Sequence, residues 1–503
     1  MKSMKKTLLA LSLFVLANSP AFAVPVVTGD SAYITQAGAG GTVTTNQTEG
    51  AAGINTIIVN QYGGSINERA EVTQAGGGNN SATVNQYGDS EVSTVSQLGT
   101  SGTATVNQYG YGDSATIIQG ETSLSESASI DQIGSSNQGS VTQGGMGDIA
   151  TITQSGLSNN SSVTQNGANG WAGILQSTGS NNNAVITQNG ASSFETATIT
   201  QTGSTTDGTF HEARISQSGT SDHATITVSG DNNGSSINQD GGTNSETATI
   251  DQSSANSWAE IYQWGSSANA QATIDQSAAN SWAYIYQSES ANAEATITQS
   301  GGDNNSAWIG QQLSLNAQAT IDQSAANSGA QIHQWGSSAN AQATIDQSAA
   351  NSGANISQSE SANAEATITQ SGGDNNSAWI DQHFGDLNVA DMTQQGSYNR
   401  SATNQSGTGN RANTFQEGNS NINEFNDGLT WFYGIEQYGN NNIASTTQTG
   451  DSNVAVIRQN GTDNLATISQ QNNMNVAVID QSGSFKVADI SQTGGNFSSV
   501  TQH

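Results

Sequence analysis

The stretch from Gln437 to Gln481, QYGNNNIASTTQTGDSNVAVIRQNGTDNLATISQQNNMNVAVIDQ, repeats one motif every eleven residues. The motif is Gln-x-Gly-x-x-Asn-x-Ala-x-x-x-Gln, and Asn472 replaces its glycine once. The glutamine register continues at Gln492 and Gln502. The repeated positions are Gln437, Gln448, Gln459, Gln470, Gln481, Asn442, Asn453, Asn464, Asn475, Gly439, Gly450 and Gly461. Such regular self-similarity predicts one supersecondary unit per copy.

Each copy of the motif predicts one β-strand followed by one turn. Along residues 453–459, Asn453, Ala455, Ile457 and Gln459 alternate with Val454, Val456 and Arg458. A period of two places the two sets on opposite faces of a strand. The Gln-x-Gly-x-x segment that follows is rich in Gly, Asn and Asp, the residues that tight turns favour. Two copies therefore predict a rung of two strands and about 22 to 24 residues.

The register extends back through the chain to Gln36, with spacings of mostly eleven to thirteen residues. Val228 stands where one glutamine is due, and a longer loop is expected at 203–208. An irregular rung is expected at 417–436, where the apolar run Leu-Thr-Trp-Phe-Tyr interrupts the pattern. The whole repeat region, residues 31–503, predicts about forty strands in roughly twenty rungs.

Residues 248–309 and 319–380 are near copies of each other. Trp258, Tyr262, Trp282 and Tyr286 of the first copy become Gly329, His333, Gly353 and Ser357 in the second. The alanines and isoleucines between these positions do not change. We therefore expect the unchanged face to form the core and the variable face to meet solvent. The four aromatic residues, each pair stacked on adjacent rungs, are then a candidate contact surface.

Residues 1–23 have the pattern of a secretory signal peptide, which would leave a short leader at 24–30. A basic head with Lys2, Lys5 and Lys6 precedes an apolar segment, and Ala-Phe-Ala at 21–23 has the small-x-small form of a cleavage site. The apolar segment is too short to span a bilayer. We expect an extracellular protein.

Composition excludes several classes of protein. The chain has 9 basic and 40 acidic residues, which argues against a nucleic-acid partner because phosphates are bound by basic surfaces. Cysteine is absent, so disulfides do not stabilise the fold. Neither of the two prolines lies beyond residue 25, which suits a chain whose backbone N–H groups donate throughout to β-ladders.

These patterns together predict an all-β fold, a β-solenoid of stacked strand-turn-strand repeats with two facing sheets. One strand buries only an alanine and an isoleucine or valine, which does not offset the entropy of ordering eleven residues. Rungs must therefore stack, about 4.8 Å apart. Stacking places glutamine over glutamine and asparagine over asparagine, in amide ladders like those of cross-β structures.

The repeats resemble those of a known family. The segments Ser257-x5-Gln263 and Ser281-x5-Gln287 are similar to the first half of a curlin repeat, and Gln437-x-Gly439-x-x-Asn442-x-Ala444-x3-Gln448 to its turn and second half. The similarity covers nearly all of residues 31–503, although this chain has many more repeats than a typical subunit of curli, the amyloid fibres of bacterial biofilms. The resemblance implies export through an outer-membrane pore, nucleated polymerisation at the cell surface, and roles in adhesion and biofilm.

No catalytic, cofactor or metal site is expected. The five histidines share no motif, and His333 lies on the predicted outer face. Asp251, Asp275, Asp322 and Asp346 each precede a ladder glutamine and are expected to point outward in columns. Gly-Asp-Asn-Asn turns at 230–233 and 302–305 lack the nonapeptide pattern of calcium-binding β-rolls, and the outward positions vary too freely for an ice-binding face.

We therefore expect a structural protein that assembles into extracellular fibres. Solenoids that act as monomers cap their ends, whereas both terminal strands of this sequence keep the repeat register. End-to-end stacking of identical molecules would then give an open filament. The alternatives are a monomeric surface adhesin with a solenoid stalk and a carbohydrate-active β-helix.

Overall fold

The computed structural model describes residues 30–48, 53–190, 194–203, 211–241, 245–426 and 431–503. Within these ranges there are 42 strands and no helix, and thus no helix that could cross a membrane. The signal peptide expected at 1–23, the leader at 24–30 apart from Asp30, and most of the loop at 203–208 lie outside the described residues. The chain divides into two compact units, unit 1 up to Ser245 and unit 2 from Glu246 to His503.

The strands of unit 1 are short and evenly spaced. They are β1 (Ser31–Ala39), β2 (Thr42–Gln47), β3 (Thr56–Ile66), β4 (Arg69–Gln74), β5 (Ser81–Gln86), β6 (Val92–Gln97), β7 (Thr103–Tyr111), β8 (Ser114–Gln119), β9 (Ser127–Ser135), β10 (Gln138–Gln143), β11 (Ile149–Leu157), β12 (Asn160–Gln165), β13 (Trp171–Ser180), β14 (Asn182–Gln188), β15 (Thr196–Gln201), β16 (His211–Gln217), β17 (His223–Val228) and β18 (Gly234–Asp240).

The strands of unit 2 continue the same spacing, apart from one insertion. They are β19 (Thr247–Gln252), β20 (Trp258–Trp264), β21 (Gln271–Gln276), β22 (Trp282–Ser288), β23 (Glu294–Gln299), β24 (Ser306–Gln312), β25 (Gln318–Gln323), β26 (Gly329–Trp335), β27 (Gln342–Gln347), β28 (Gly353–Ser359), β29 (Glu365–Ser371), β30 (Ser377–His383), β31 (Val389–Gln395), β32 (Arg400–Ser406), β33 (Arg411–Glu417), β34 (Ile422–Asn426), β35 (Trp431–Tyr433), β36 (Ile435–Asn440), β37 (Ile443–Thr449), β38 (Val454–Thr462), β39 (Leu465–Gln471), β40 (Val476–Ser484), β41 (Val487–Thr493) and β42 (Phe497–Gln502).

Each unit winds back and forth between two parallel sheets. A strand pairs with the strand two further along the chain, as β5 does with β7 and β6 with β8 in unit 1, and β37 with β39 and β38 with β40 in unit 2. The repeat is kept in register, so that Gln448 lies beside Gln470. Each unit is therefore a β-solenoid with two facing sheets, which confirms the predicted fold class.

Alternation along each strand separates the core from the outer face. Ala259 and Ile261 are completely buried, whereas Trp258 on the opposite face of the same strand is 44% exposed. The prediction that the unchanged face of the two near copies forms the core is confirmed. Val456, which the alternation places on the face opposite Ala455 and Ile457, is nevertheless only 3% exposed. Its strand pairs with the rung that holds the insertion, where the outer face is covered.

The turns depend on glycines with left-handed backbone conformations. Gly461 has φ 140°, and a Cβ added there would collide with the carbonyl oxygen of Gly483 in the next rung. Asn472, which replaces the motif glycine, has φ 63°, a conformation that asparagine tolerates better than most residues. The glycine of the motif thus permits both the turn and the close stacking of successive turns.

The irregular rung contains an inserted hairpin. The rung begins with β34, which pairs with β32. The next strand, β35, turns back and pairs with β34 in the antiparallel direction. The rung then continues with β36, which again pairs with β32. The insertion lengthens the interval between Gln405 and Gln437 to 32 residues. The Arg400–Glu424 ion pair, with an N–O distance of 2.6 Å, joins the hairpin to the neighbouring rung.

Replacing Gly461 with alanine should lower the free energy of unfolding of unit 2 by about 3 kcal/mol. The positive φ is strained for alanine, and its Cβ would collide with the carbonyl oxygen of Gly483. The matched control is Gly353→Ala, because a Cβ at Gly353 would meet nothing within 4 Å. The measurement is the midpoint of guanidinium chloride unfolding for the purified chain. Equal midpoints for the two variants would contradict the assigned turn.

Candidate functional site

The motif glutamine, exemplified by Gln459 in β38, forms hydrogen bonds in three directions. The Nε2 of Gln459 donates to Oε1 of Gln481 at 3.0 Å and to the backbone carbonyl of Ile443 on the facing sheet at 3.0 Å. Its Oε1 accepts from Nε2 of Gln437 at 2.9 Å. Because the Gln459 side chain is only 1% exposed, these bonds replace those that water would make. Each amide therefore joins its rung to the next rung and one sheet to the other.

In unit 2 these bonds form two unbroken ladders, one in each sheet. The first runs through Gln252, Gln276, Gln299, Gln323, Gln347, Gln370, Gln394, Gln416, Gln448, Gln470 and Gln492. The second runs through Gln263, Gln287, Gln311, Gln334, Gln358, Gln382, Gln405, Gln437, Gln459, Gln481 and Gln502.

Unit 1 has two ladders of the same kind. One runs through Gln36, Gln61, Gln86, Gln108, Gln132, Gln154, Gln176 and Gln201. The other runs through Gln47, Gln74, Gln97, Gln119, Gln143, Gln165, Gln188, Gln217 and Gln239. Val228 lies beside Gln201 and interrupts the first of them, at the position that the sequence indicated.

The asparagines of the motif form a second ladder at the corners of the rungs. We call the residue immediately before each strand the corner position. The Nδ2 of Asn464 donates to Oδ1 of Asn442 at 3.0 Å, and that of Asn475 to Oδ1 of Asn453 at 2.9 Å. Corner asparagines also donate to turn glycines: the Nδ2 groups of Asn410, Asn421 and Asn442 donate to the carbonyl oxygens of Gly439, Gly450 and Gly461 at 2.7–3.0 Å. Sequence reasoning identified the asparagines at 442, 453, 464 and 475 as ladder members, and the structure gives their bonds.

The glutamine ladders have a direction. Every ladder amide donates its Nε2 hydrogen to the residue of higher number, from Gln36 to Gln61 at the start of the described residues and from Gln481 to Gln502 at their end. The last described rung thus presents amide donors, and the first presents amide acceptors. A contact between two copies is complementary only when the last rung of one meets the first rung of the other.

The four predicted contact aromatics lie together on the outer face of β20 and β22. Trp258 is paired with Trp282 and Tyr262 with Tyr286 across the two strands. The tyrosine rings stack with centroids 5.7 Å apart, as expected. The expectation that Trp258 and Trp282 stack on each other is wrong, because the Trp282 ring stacks instead on Tyr284 of its own strand, with centroids 5.9 Å apart.

Sequence reasoning missed two members of this surface, Tyr284 and Trp308. Tyr284 faces Trp308 on the next strand, and the rings of Trp308 and His333 contact each other in a tilted arrangement with centroids 4.0 Å apart. His333 is half-buried, and burial lowers its pKa. The interval of 24 residues between Tyr284 and Trp308 equals that between Trp258 and Trp282, so the repeat could have identified Trp308. We call Trp258, Tyr262, Trp282, Tyr284, Tyr286 and Trp308 the aromatic face.

The outward aspartates form the columns that the sequence predicted. Asp251 lies beside Asp275, and Asp322 beside Asp346. Burial, and next the neighbouring carboxylate, raises the pKa of both Asp251 and Asp322. Among the described residues, no group of three or more acidic or histidine side chains is placed to hold a metal ion.

Replacing Trp258, Tyr262, Trp282 and Tyr286 with serine should leave the fold intact and reduce lateral association, because these side chains are outside the core and expose apolar area. The second near copy already carries small or polar residues at the same positions. Association is measured by light scattering and by the width of bundles in electron micrographs.

The matched control removes four exposed apolar side chains from turns of the same unit, Leu313, Leu315, Phe384 and Leu387. Serine at these positions should leave association unchanged. Unfolding of the aromatic variant would show that its residues belong to the core. Equal association by the two variants would show that the aromatic face has no special role.

The family comparison agrees with this geometry. The family model of the curlin associated repeat matches the chain at residues 77–110, 212–241, 439–471 and 461–494. The matches fall in both units and coincide with strand-turn-strand segments of the solenoid. No curated protein matches the chain. The resemblance indicated by the motif residues is confirmed.

Proposed function

Since the chain carries curlin associated repeats, we propose that it is a secreted structural protein whose molecules stack head to tail into curli-like fibres. The single observation that carries the proposal is the direction of the glutamine ladders, which makes the last rung of one copy complementary to the first rung of another. The contact is heterologous and does not close, so it generates an open filament.

Exposure of the terminal rungs supports the same assembly. Ile34 in β1 and Val500 in β42 face inward but are partly exposed, whereas Val59 and Ile479, their partners one rung inside, are completely buried. A second copy stacked on either rung would bury these side chains and extend the parallel sheets. Strands would then lie across the fibre axis, as in cross-β structures.

We further propose that the fibres act outside the cell, in biofilm matrix and adhesion, without enzymatic activity. A dedicated nucleator and an outer-membrane pore are the partners that curli-like assembly requires. A monomeric surface adhesin is the second candidate, and the exposed aromatic face favours it because such surfaces often bind partners. Electron microscopy and X-ray diffraction of purified chain separate the two, since only fibres give aligned reflections near 4.8 Å.

Proline in place of Ser499 should block fibre elongation. The backbone N–H of Val476 donates to Asn496, so residues 496, 498, 500 and 502 bond towards β40 and the N–H of Ser499 points to the open edge of β42. Proline there removes a donor needed by the next molecule without removing a bond within the chain.

The assay adds each variant to fragmented fibres of the parent chain and measures fibre length. Ser499→Pro molecules should bind to the seeds and then stop further growth. Ser499→Ala, which keeps the N–H, should elongate them normally. Equal elongation by the two variants would exclude stacking through the last rung.

The aspartate columns should slow assembly at neutral pH. Because folding raises the pKa of Asp251 and Asp322, the solenoid gains stability as pH falls and loses it as pH rises through the folded-state pKa. The variant with asparagine at Asp251, Asp275, Asp322 and Asp346 should therefore have a shorter lag at pH 7 than the parent. Its lag should also depend less on pH between about 4 and 8. An unchanged lag would contradict this role.

A further inference from the structure

Unit 1 carries acidic residues at corner positions where β37 to β40 of unit 2 have asparagine. Glu91 and Asp113 occupy successive corners of one sheet, because the strands that follow them, β6 and β8, are paired in register. Glu126 and Asp148 occupy successive corners of the other sheet. All four side chains are at most 1% exposed. Sequence reasoning had assigned these residues no role.

An asparagine at a corner both accepts and donates. Asn464 accepts the backbone N–H of Lys486 on Oδ1 at 2.9 Å. Its Nδ2 donates to Asn442 of the preceding rung at 3.0 Å and to the carbonyl oxygen of Gly483 at 2.9 Å. The column is stable because every buried polar atom has a partner.

A carboxylate at the same position accepts but does not donate. Oδ1 of Asp113 accepts the backbone N–H of Asn137 at 2.8 Å, and Oδ1 of Asp148 accepts that of Gly170 at 2.8 Å. The second oxygen of each is buried without a hydrogen bond. Glu126 is buried with no hydrogen bond of ordinary geometry, and the backbone N–H of Asp148 is the donor that faces it. Each column of corner acids therefore contains carboxylate oxygens that lack a hydrogen-bond donor.

The charges around these groups all disfavour ionisation. Burial, and next the adjacent Asp113, raises the pKa of Glu91 to about 8, with Glu68 acting in the same direction. Burial, and next Asp148, raises the pKa of Glu126 to about 8. Burial also raises the pKa of Asp113 and Asp148, against hydrogen bonds from Asn137 and Gly170.

No cation compensates these carboxyl groups within the described part of unit 1. Its two arginines, Arg69 and Arg214, form ion pairs with Glu71 and Glu212, and their side chains are 63% and 56% exposed on the outer face. His211, the first residue of β16, is also buried, and burial lowers its pKa.

We propose that the corner carboxyl groups of Glu91, Asp113, Glu126 and Asp148 bind protons when unit 1 folds, and that unit 1 is thereby a pH-sensitive element. The O–H of a carboxylic acid has the donor role that Nδ2 has in the asparagine corners. The proton comes from solvent and is released when the rungs open. The device does not depend on fibre formation, since all its groups belong to one molecule.

The sign of the effect follows from the direction of the shifts. A carboxyl group that is more basic in the folded than in the unfolded state gives full stability below its unfolded pKa of about 4.5. That stability decreases as pH rises through the folded value near 8. Unit 1 should therefore open more often at pH 8 than at pH 5, while β37–β41 of unit 2 should show little change.

Hydrogen–deuterium exchange of the full chain, read by mass spectrometry and corrected for intrinsic rates, measures this difference by region. From pH 5 to pH 8, protection of peptides from β4–β11 should fall by about tenfold or more relative to peptides from β37–β41. An equal pH dependence in the two regions would overturn the proposal.

Two variants test whether the named groups are responsible. The variant Glu91→Gln, Asp113→Asn, Glu126→Gln, Asp148→Asn should lose the regional pH dependence, because amides donate at every pH. A control with the same change in charge at exposed sites, Glu121→Gln, Asp303→Asn, Glu360→Gln and Asp386→Asn, should keep it. The proposal fails if the corner variant keeps the dependence or if the control loses it.

A transplant tests the device independently of the stability of unit 1. Asn453→Asp with Asn475→Asp places two stacked acids at corners of unit 2, where both side chains are completely buried. Protection of β38–β40 should then fall as pH rises from 5 to 8. Protection that stays independent of pH in this variant would show that corner acids do not act as proton-dependent donors.

Discussion

The buried glutamine amide is the interaction on which the rest of the structure depends. Such an amide has two N–H donors and one carbonyl acceptor, and an unmade hydrogen bond to any of them costs about 1–3 kcal/mol in the interior. Gln459 satisfies all three by bonding to the rungs on both sides and to the facing sheet. This is possible only if strands are parallel and in register, so the amide fixes topology and register together.

The same constraint explains much of the sequence. A slip of one residue would turn the glutamines outward and the small polar residues inward, because side chains alternate along a strand. Turns must then have nearly constant length, and Gly461 shows why their backbones favour glycine, since the next turn lies where a Cβ would be. Insertions are tolerated only where the register can be resumed, as β36 does after the hairpin of β34 and β35.

The sequence predicted the elements that repeat and missed the features that depend on local geometry. Strands, sheets, ladders and the core face follow from periods of two and eleven, which are visible in residues 437–481. The corner acids were not identified, because Glu91 and Asp113 lie next to turns and turn acids are usually exposed. Their burial depends on left-handed backbones at Ser90 and Gly112, which aim the following residue into the rung. The irregular rung was located, but the repeat says nothing about the antiparallel pairing within an insertion.

The direction of the ladders also limits the ways in which molecules can meet. Two last rungs facing each other would oppose amide donors to donors, and two first rungs would oppose acceptors to acceptors. Buried polar groups without partners are costly, so both symmetric contacts are disfavoured relative to the head-to-tail contact. Selectivity of this kind would need no specialised interface, because the proposed head-to-tail contact would repeat the contact between rungs. In that proposal, the interaction that folds the solenoid would also determine how its molecules assemble.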